Sequence, residues 1–170
     1  VITEVTEGTE EDVKKAVAAA REAFDSGEWP NTPAAERGRL VETLGDLVEK
    51  NREHLAQLES LDTGKTVEES RGDMDDIAGI FRSFGQLADK DGGERIESTV
   101  PQTESTVVKE PVGVAAQISP WNYPLLQASW KMAPALAAGC TIIMKPSEIT
   151  PLTTIRITEL AEEAGFPKGV

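Results

Sequence analysis

VGVAAQISPWNYPLLQASWKMAPALAAGCTIIMKPSE, residues 112–148, holds two apolar runs on either side of a helical pattern. The first run, 112–118, lacks polar alternation and stops at Ser119-Pro120, which is typical of a strand buried on both faces of a parallel sheet. Pro124 can open a helix, because its missing N–H is not needed in a first turn, and Gly139 suits the end of that helix. The second run, 141–144, follows at once. The order strand, turn, helix, strand predicts a βαβ unit.

Polar clusters follow both apolar runs. Ser119-Pro-Trp-Asn122 comes after the first run and Lys145-Pro-Ser-Glu148 comes after the second. Ligands of such sheets bind where the strands end at their carboxyl side, so we expect the functional site there. No Gly-x-Gly-x-x-Gly follows either run, and the familiar dinucleotide fingerprint is therefore absent.

The first half of the chain is predicted to be helical, after an apparent strand at Val1-Ile-Thr-Glu4. A sequence resembling a capping box, Thr9-Glu-Glu-Asp12, begins the first helix. Thr32 is expected to cap the second helix, which Asn51 ends. A third segment places Leu55, Leu58 and Leu61 on its apolar side, and a fourth helix covers 67–87. The last helix is expected from Thr150 or Pro151 to about Ala164.

The character of the chain changes after a break at 89–93. Glu94-Arg-Ile-Glu97 and Glu104-Ser-Thr-Val-Val-Lys109 are short, β-rich and separated by a polar turn with Pro101, so they predict an exposed hairpin. Such a hairpin has unpaired edges that can receive a partner strand. A plain surface hairpin explains the same pattern equally well.

Composition excludes several classes of partner. Among 170 residues, 30 are acidic and 17 basic, and the net charge of −13 argues against nucleic acid and anionic membranes. The acidic residues are spread along helices, which indicates a solvated acidic surface and also suits a salt-adapted protein. One cysteine excludes an internal disulfide and suits a reducing compartment. With no membrane-length apolar stretch and no signal peptide, we expect a cytoplasmic protein.

The chain resembles the NAD(P)-dependent aldehyde dehydrogenase family, most of all its betaine aldehyde branch. The resemblance covers essentially the whole chain and rests on ordered motifs: Pro120-Trp-Asn-Tyr-Pro-Leu-Leu126, Ser129-Trp-Lys131, Pro134-Ala-Leu-Ala-Ala-Gly139, Ala138-Gly-Cys-Thr141, Lys145-Pro-Ser-Glu148 and Glu163-Ala-Gly-Phe-Pro-Lys-Gly-Val170. Family chains are far longer, so this chain is expected to be an N-terminal portion.

The fold class expected from pattern and resemblance is α/β, with N-terminal helices packed on a parallel Rossmann-like sheet and a protruding β-hairpin. Residues 1–92 and 110–170 would form a truncated cofactor-binding domain. In the resembled family the segment 93–109 helps to form the oligomerisation region, which predicts a homo-oligomer.

The cofactor implied is NAD. A carboxylate at Glu148 can accept both ribose hydroxyls of an adenosine, while Lys145 reaches the same sugar, and Glu148 would repel the 2′-phosphate of NADP. Ser147 joins this cluster, although it can simply cap the following segment. The four residues expected along the cofactor are Ile118, Ser119, Pro120 and Trp121.

Asn122 has two interpretations. From its position alone it is an N-cap of the helix that starts at Pro124. The resemblance implies instead that its amide stabilises the oxyanion formed when a thiolate attacks the aldehyde.

Tyr123 and Trp130 lie two helical turns apart and can share a face. They either pack in the core or form part of an aromatic cage for a trimethylammonium group. Lys131 is a surface lysine or, by resemblance, part of a proton relay.

Three further residues are weighed as site candidates. Cys140 is expected to be an inert core thiol, because it lies between Gly139 and a buried strand. His54 has no second His or cysteine pair with which to bind a metal. Asp62 is a turn residue or, by resemblance, part of a monovalent-cation site near the segment after Glu148.

Two functions follow from these observations. The first is NAD-dependent oxidation of an aldehyde, betaine aldehyde or a similar one, with the nucleophilic Cys and the general-base Glu in parts absent from this chain, so that the chain alone is inactive. The alternative is a non-catalytic module that binds a nucleotide or a partner chain.

Overall fold

The computed structural model describes residues 2–90 and 92–170. Six α-helices and four strands alternate with short loops, and a 3₁₀ turn covers Trp29–Asn31. The helices are α1 (Glu10–Asp25), α2 (Ala34–Lys50), α3 (Arg52–Thr63), α4 (Val67–Leu87), α5 (Pro124–Ala138) and α6 (Leu152–Ala164). The strands are β1 (Glu94–Ile96), β2 (Ser105–Val107), β3 (Val114–Ile118) and β4 (Thr141–Lys145).

Local sequence signals set several of these boundaries as predicted. Thr9 forms a capping box with Asp12 at the start of α1. Helix α5 begins at Pro124 and ends at Gly139, whose φ of +91° lies in the left-handed region that favours glycine.

Two local predictions are wrong. The Thr32 hydroxyl donates to the Glu28 carbonyl 3.1 Å away, and α2 has no side-chain cap. Residues 2–9 form no strand, so the strand expected at residues 1–4 is wrong for 2–4. Val1 lies outside the described residues, as does Asp91 of the break expected at 89–93.

Helices α2 to α6 share one apolar core. Its large, almost fully buried side chains come from the 3₁₀ turn and from all helices except α1: Trp29, Val41, Leu44, Leu55, Met74, Ile77, Phe81, Leu125, Met132, Ile157 and Leu160. Helices α2 and α4 approach closely at glycines, because a Cβ on Gly38 would meet the Gly85 carbonyl oxygen at 2.4 Å. Any larger residue at this crossing would force the two helices apart.

Strands β3 and β4 pair in parallel, with Val114 opposite Thr141 and Ile118 opposite Lys145. Side chains alternate between the two faces of β4. The Thr141 hydroxyl donates to the Ala20 carbonyl of α1 at 3.0 Å, while Ile142 packs against the helical core. The sheet therefore lies between α1 and the core helices, and the molecule is α/β.

The expectation that β3 is buried on both faces is wrong. Its pattern is mixed, with Gln117 buried, Ala116 exposed and Ile118 72% exposed. In the part of the chain that the structure describes, β3 pairs only with β4, and an apolar run does not itself supply the layers that would cover it. The larger Rossmann-like sheet stays a prediction.

The segment 93–109 contains the expected antiparallel pair, β1 with β2, from Glu94 opposite Val107 to Ile96 opposite Ser105. Apolar side chains on it are solvent-exposed, among them Ile96 and Val107. Within residues 2–90 and 92–170, no helix combines the length and apolar character that crossing a membrane requires.

Candidate functional site

The two polar clusters lie side by side at the carboxyl ends of β3 and β4. The Ser119 N–H donates to the Lys145 carbonyl at 3.2 Å, which continues the strand pairing by one residue. The Thr150 hydroxyl donates to the Trp121 carbonyl at 3.1 Å and joins the loop after β4 to the loop after β3. The fold therefore brings together the residues that the sequence predicted as one site.

The loop after β3 presents an apolar surface with a buried hydroxyl behind it. Ile118 and Trp121 are 72% and 60% exposed, and Pro120 is exposed as well. Ser119 is 3% exposed, and its Oγ makes no hydrogen bond in the described part of the chain. Exposed apolar side chains next to this loop can cover the flat rings of a bound nucleotide.

Lys145 and Glu148 form an ion pair on the surface, with 2.9 Å between Nζ and Oε2. The Lys145 hydrogen bond lowers the pKa of Glu148, so this carboxylate is ionised at neutral pH. Its free lone pairs can accept hydroxyl hydrogens, and the ammonium can donate to the same ligand. The Ser147 Oγ accepts the Ile149 N–H at 3.3 Å and so shapes the loop itself.

Asn122 does not cap α5. The capping position is Tyr123, which makes no side-chain cap, so the N-cap interpretation is wrong. The Asn122 side chain is exposed in the turn before α5 and makes no hydrogen bond to any other described residue. Its amide is available to a ligand at the first turn of a helix.

Tyr123 and Trp130 are 42% and 51% exposed, so the core-packing interpretation is wrong for both. The face of the Tyr123 ring already holds a cation, because Lys65 Nζ lies 3.5 Å from the ring centroid. The same ammonium is 2.6 Å from Asp73 Oδ2, and little of either charged side chain is exposed. A space of about 420 Å³ is lined by Lys65, Glu69, Asp73 and Tyr123, whereas Trp130 does not line it.

Lys131 is directed along its own helix. Its Nζ donates to the Gln127 carbonyl at 3.0 Å, while its own carbonyl accepts from Gln117 Nε2 at 2.9 Å. These bonds link α5 to β3, and the proton-relay role stays a prediction.

The Asp62 side chain contacts the start of α6. Its Oδ2 accepts the Leu152 N–H at 2.9 Å, and partial burial raises the pKa of this carboxyl group. It therefore lies beside the segment after Glu148, as expected. Among the described residues there is no group of three or more His, Cys, Asp and Glu that could hold a metal ion. The monovalent-cation role stays a prediction.

Glu59 is a buried carboxylate that sequence reasoning missed. The apolar stripe of α3 pointed to Leu61, yet Leu61 is 59% exposed while Glu59 is fully buried. The sequence signal for its burial was helical spacing, because Glu59 follows the buried Leu55 by four residues and shares its face.

Cys140 is buried at 5% exposure, which confirms the prediction of a core thiol. Its carbonyl accepts the Trp29 indole N–H at 3.0 Å and joins the start of β4 to the 3₁₀ turn.

Comparison with known proteins gives a consistent result. The family model described as the aldehyde dehydrogenase family matches residues 1–170. Betaine aldehyde dehydrogenase of Bacillus subtilis is 63% identical over 169 residues, covering 99% of this chain and 34% of that protein. Betaine aldehyde dehydrogenase 1 of Oryza sativa is 45% identical over 175 residues, covering 99% and 35%.

Solved structures agree. A crystal structure of betaine aldehyde dehydrogenase from Staphylococcus aureus in complex with NAD⁺ superposes with a TM-score of 0.95 at 65% identity. The match covers 97% of this chain and 33% of that chain. The chain thus spans about a third of the length of the relatives it matches.

Proposed function

Because the chain belongs to the aldehyde dehydrogenase family, we propose that it carries the cofactor-binding part of an enzyme that oxidises an aldehyde to the carboxylate with NAD. The observation that carries the proposal is the junction of the two loops by the Ser119–Lys145 and Thr150–Trp121 hydrogen bonds. This junction sets an unengaged Asn122 amide on the same edge of the sheet as Lys145 and Glu148.

The residues present fit NAD. Glu148 is ionised and exposed, Lys145 lies beside it, and the buried Ser119 hydroxyl has no hydrogen-bond partner in the described ranges. The Bacillus and Staphylococcus relatives are betaine aldehyde dehydrogenases, and the Staphylococcus protein was crystallised with NAD⁺. NAD supplies a hydride acceptor for the aldehyde carbon.

The chain's own part in the reaction is binding and charge stabilisation. Glu148 and Lys145 hold the adenosine ribose, and Ile118 and Trp121 cover the cofactor's rings. A thiolate from elsewhere in the full-length protein adds to the aldehyde, and the Asn122 N–H₂ donates to the resulting oxyanion. Lys131 belongs to the proposal as a proton-relay residue.

We expect Glu148→Ala to narrow the preference for NAD over NADP in a chain extended at its C-terminus to the length of its relatives. The substitution removes an acceptor for the ribose hydroxyls and relieves repulsion of the 2′-phosphate. The measurement is kcat/KM with each cofactor. Glu159→Ala is the matched control, since Glu159 pairs with Arg156 in a similar exposed i,i+3 arrangement. An unchanged cofactor ratio would remove Glu148 from the proposal.

The substrate proposed is a small or quaternary-ammonium aldehyde, with betaine aldehyde first. The proposal is supported by the exposed rings of Tyr123 and Trp130 and by the Lys65 ammonium, which lies 3.5 Å from the centroid of the Tyr123 ring. In the proposal, the two rings contact the trimethylammonium group.

Trp130→Ala and Tyr123→Ala should each lower kcat/KM for betaine aldehyde by roughly 2- to 30-fold, because a cation–π contact contributes about 0.5–2 kcal/mol. The loss of kcat/KM for the neutral isostere 3,3-dimethylbutanal should be much smaller. Steady-state kinetics with both aldehydes in the extended chain measures the difference. Equal losses for the two aldehydes would assign both rings to general packing.

The proposal includes a homo-oligomer formed through the segment 93–109. Strands β1 and β2 pair only with each other in the part of the chain described, and they expose Ile96 and Val107. Residues 1–92 and 110–170 would then form the cofactor-binding domain. A cytoplasmic location also belongs to the proposal, since the one cysteine is free.

A further inference from the structure

We propose that Glu59 is a positioning residue, which holds the first turns of α5 and α6 and thereby sets the position of Asn122. The inference rests on the proposed role of Asn122. Glu59 is 0% exposed on the inner face of α3, and neither the NAD proposal nor the substrate proposal uses it.

The Glu59 carboxyl group is hydrogen-bonded to the start of α6 and lies near the start of α5. The Thr153 hydroxyl, in the first turn of α6, donates to Glu59 Oε2. The Leu125 backbone N–H, in the first turn of α5, lowers the pKa of the same carboxyl group by hydrogen bonding. Three residues along α3, Asp62 accepts the Leu152 N–H at 2.9 Å. One face of α3 therefore contacts the start of α6 and lies near the start of α5.

These starts are directly joined to the site. Leu125 follows Asn122 by three residues, so a shift of the first turn of α5 moves the Asn122 amide. The loop before α6 is tied to the loop that carries Asn122 by the Thr150 hydroxyl, which donates to the Trp121 carbonyl. A change in either helix start is thus transmitted to the oxyanion position.

Energetics favour this role over simple core filling. Burial raises the pKa of Glu59, and the nearby Asp73 charge raises it further. Hydrogen bonds from Thr153 and Leu125 and the charge of Lys65 lower the same pKa. The second oxygen, Oε1, is buried and makes no hydrogen bond within the described ranges. Buried charges can often be replaced by apolar residues of similar size with little or no loss of stability. The carboxyl group supplies a hydrogen-bond acceptor to the start of α6 that an apolar residue could not supply.

The test uses Glu59→Leu in the chain extended at its C-terminus. We expect the variant to fold, as seen by circular dichroism and thermal unfolding, but to lose roughly 10- to 100-fold in kcat because the Asn122 amide is misplaced. The KM for NAD should change much less. Glu59→Gln keeps an oxygen that accepts the Thr153 hydroxyl, so it should restore most of kcat. Glu53→Gln, on the exposed side of α3, is the control and should match the parent.

A double-mutant cycle separates positioning from general damage. In an Asn122→Ala background, Glu59→Leu should cause no further loss of kcat, because the group through which it acts is gone. If Glu59→Leu does not fold, Thr153→Val takes its place in the cycle, because it removes only one hydroxyl. The readout is again kcat in the parent and in the Asn122→Ala background.

Two outcomes would overturn the inference. The first is an equal loss from Glu59→Leu or Thr153→Val in both backgrounds, and the second is a folded Glu59→Gln as impaired as Glu59→Leu. With either outcome, a large loss of kcat from Asn122→Ala alone would still support the proposed function. If Asn122→Ala alone leaves kcat unchanged, the proposed oxyanion role of Asn122 fails, and this inference fails with it, while turnover of the extended parent with NAD still supports the proposed function.

Discussion

We expect Asn122→Ala to lower kcat of the C-terminally extended chain by roughly 10²- to 10³-fold, the range typical for loss of one oxyanion donor, which is the role proposed for this amide. The amide is exposed, makes no hydrogen bond to other described residues and sits in the turn before α5. Its removal should therefore cost little folding stability. The lower kcat is then explained by weaker stabilisation of the transition state. The KM for NAD should stay close to that of the parent, because the cofactor contacts proposed lie on neighbouring residues.

The control for this experiment is Asn31→Ala, which removes another exposed asparagine amide far along the chain from the site. Turnover and cofactor KM are measured for the parent and both variants. If Asn122→Ala and Asn31→Ala give the same kcat, Asn122 has no part in the chemistry. The alternative of a non-catalytic module that binds a nucleotide or a partner chain would gain support only if the extended parent chain itself showed no turnover with NAD.

We expect the 170-residue chain by itself to produce no NADH from aldehydes. A hydride leaves an aldehyde carbon readily only after a nucleophile has made that carbon tetrahedral. The one thiol among these residues is Cys140, which is 5% exposed at the start of β4. Burial removes it from any substrate held at the carboxyl ends of the strands. In the proposed function, the nucleophile therefore comes from residues outside these 170.

An NADH-production assay on this chain, beside the version extended at its C-terminus, checks that expectation. The extended chain should turn over, and Cys140→Ser within it should retain most activity, since serine is close in size to cysteine. Measurable turnover by the short chain that disappears on Cys140→Ser would contradict both the core assignment of Cys140 and the need for a second part.

Much of the architecture was predictable because its signals are local. Helix α4 covers Val67–Leu87, the predicted range, and α5 follows its predicted boundaries at Pro124 and Gly139. Proline restricts φ and glycine permits a positive one, so both act on the backbone where they stand. The βαβ order then requires the carboxyl ends of β3 and β4 to be adjacent, so the two polar clusters were expected side by side, as they are.

Burial was less predictable, since it depends on which layer covers each face. Leu61 belonged to the predicted stripe of α3 but is exposed, while Glu59 is fully buried. Ile118 ends an apolar run and is also exposed, because the described sheet has only two parallel strands there.

The sequence by itself determined where the chain turns, which segments are helical and where the polar clusters fall, because short-range sterics and hydrogen bonding act within a few residues. Only the tertiary structure decided that Asp62 accepts a hydrogen bond from the start of α6 and that the Lys65 ammonium lies over the Tyr123 ring. It also decided that Glu59 meets Thr153, a residue 94 positions along the chain. Such pairings arise when whole helices pack, and their energy depends on distances and burial that no local pattern contains.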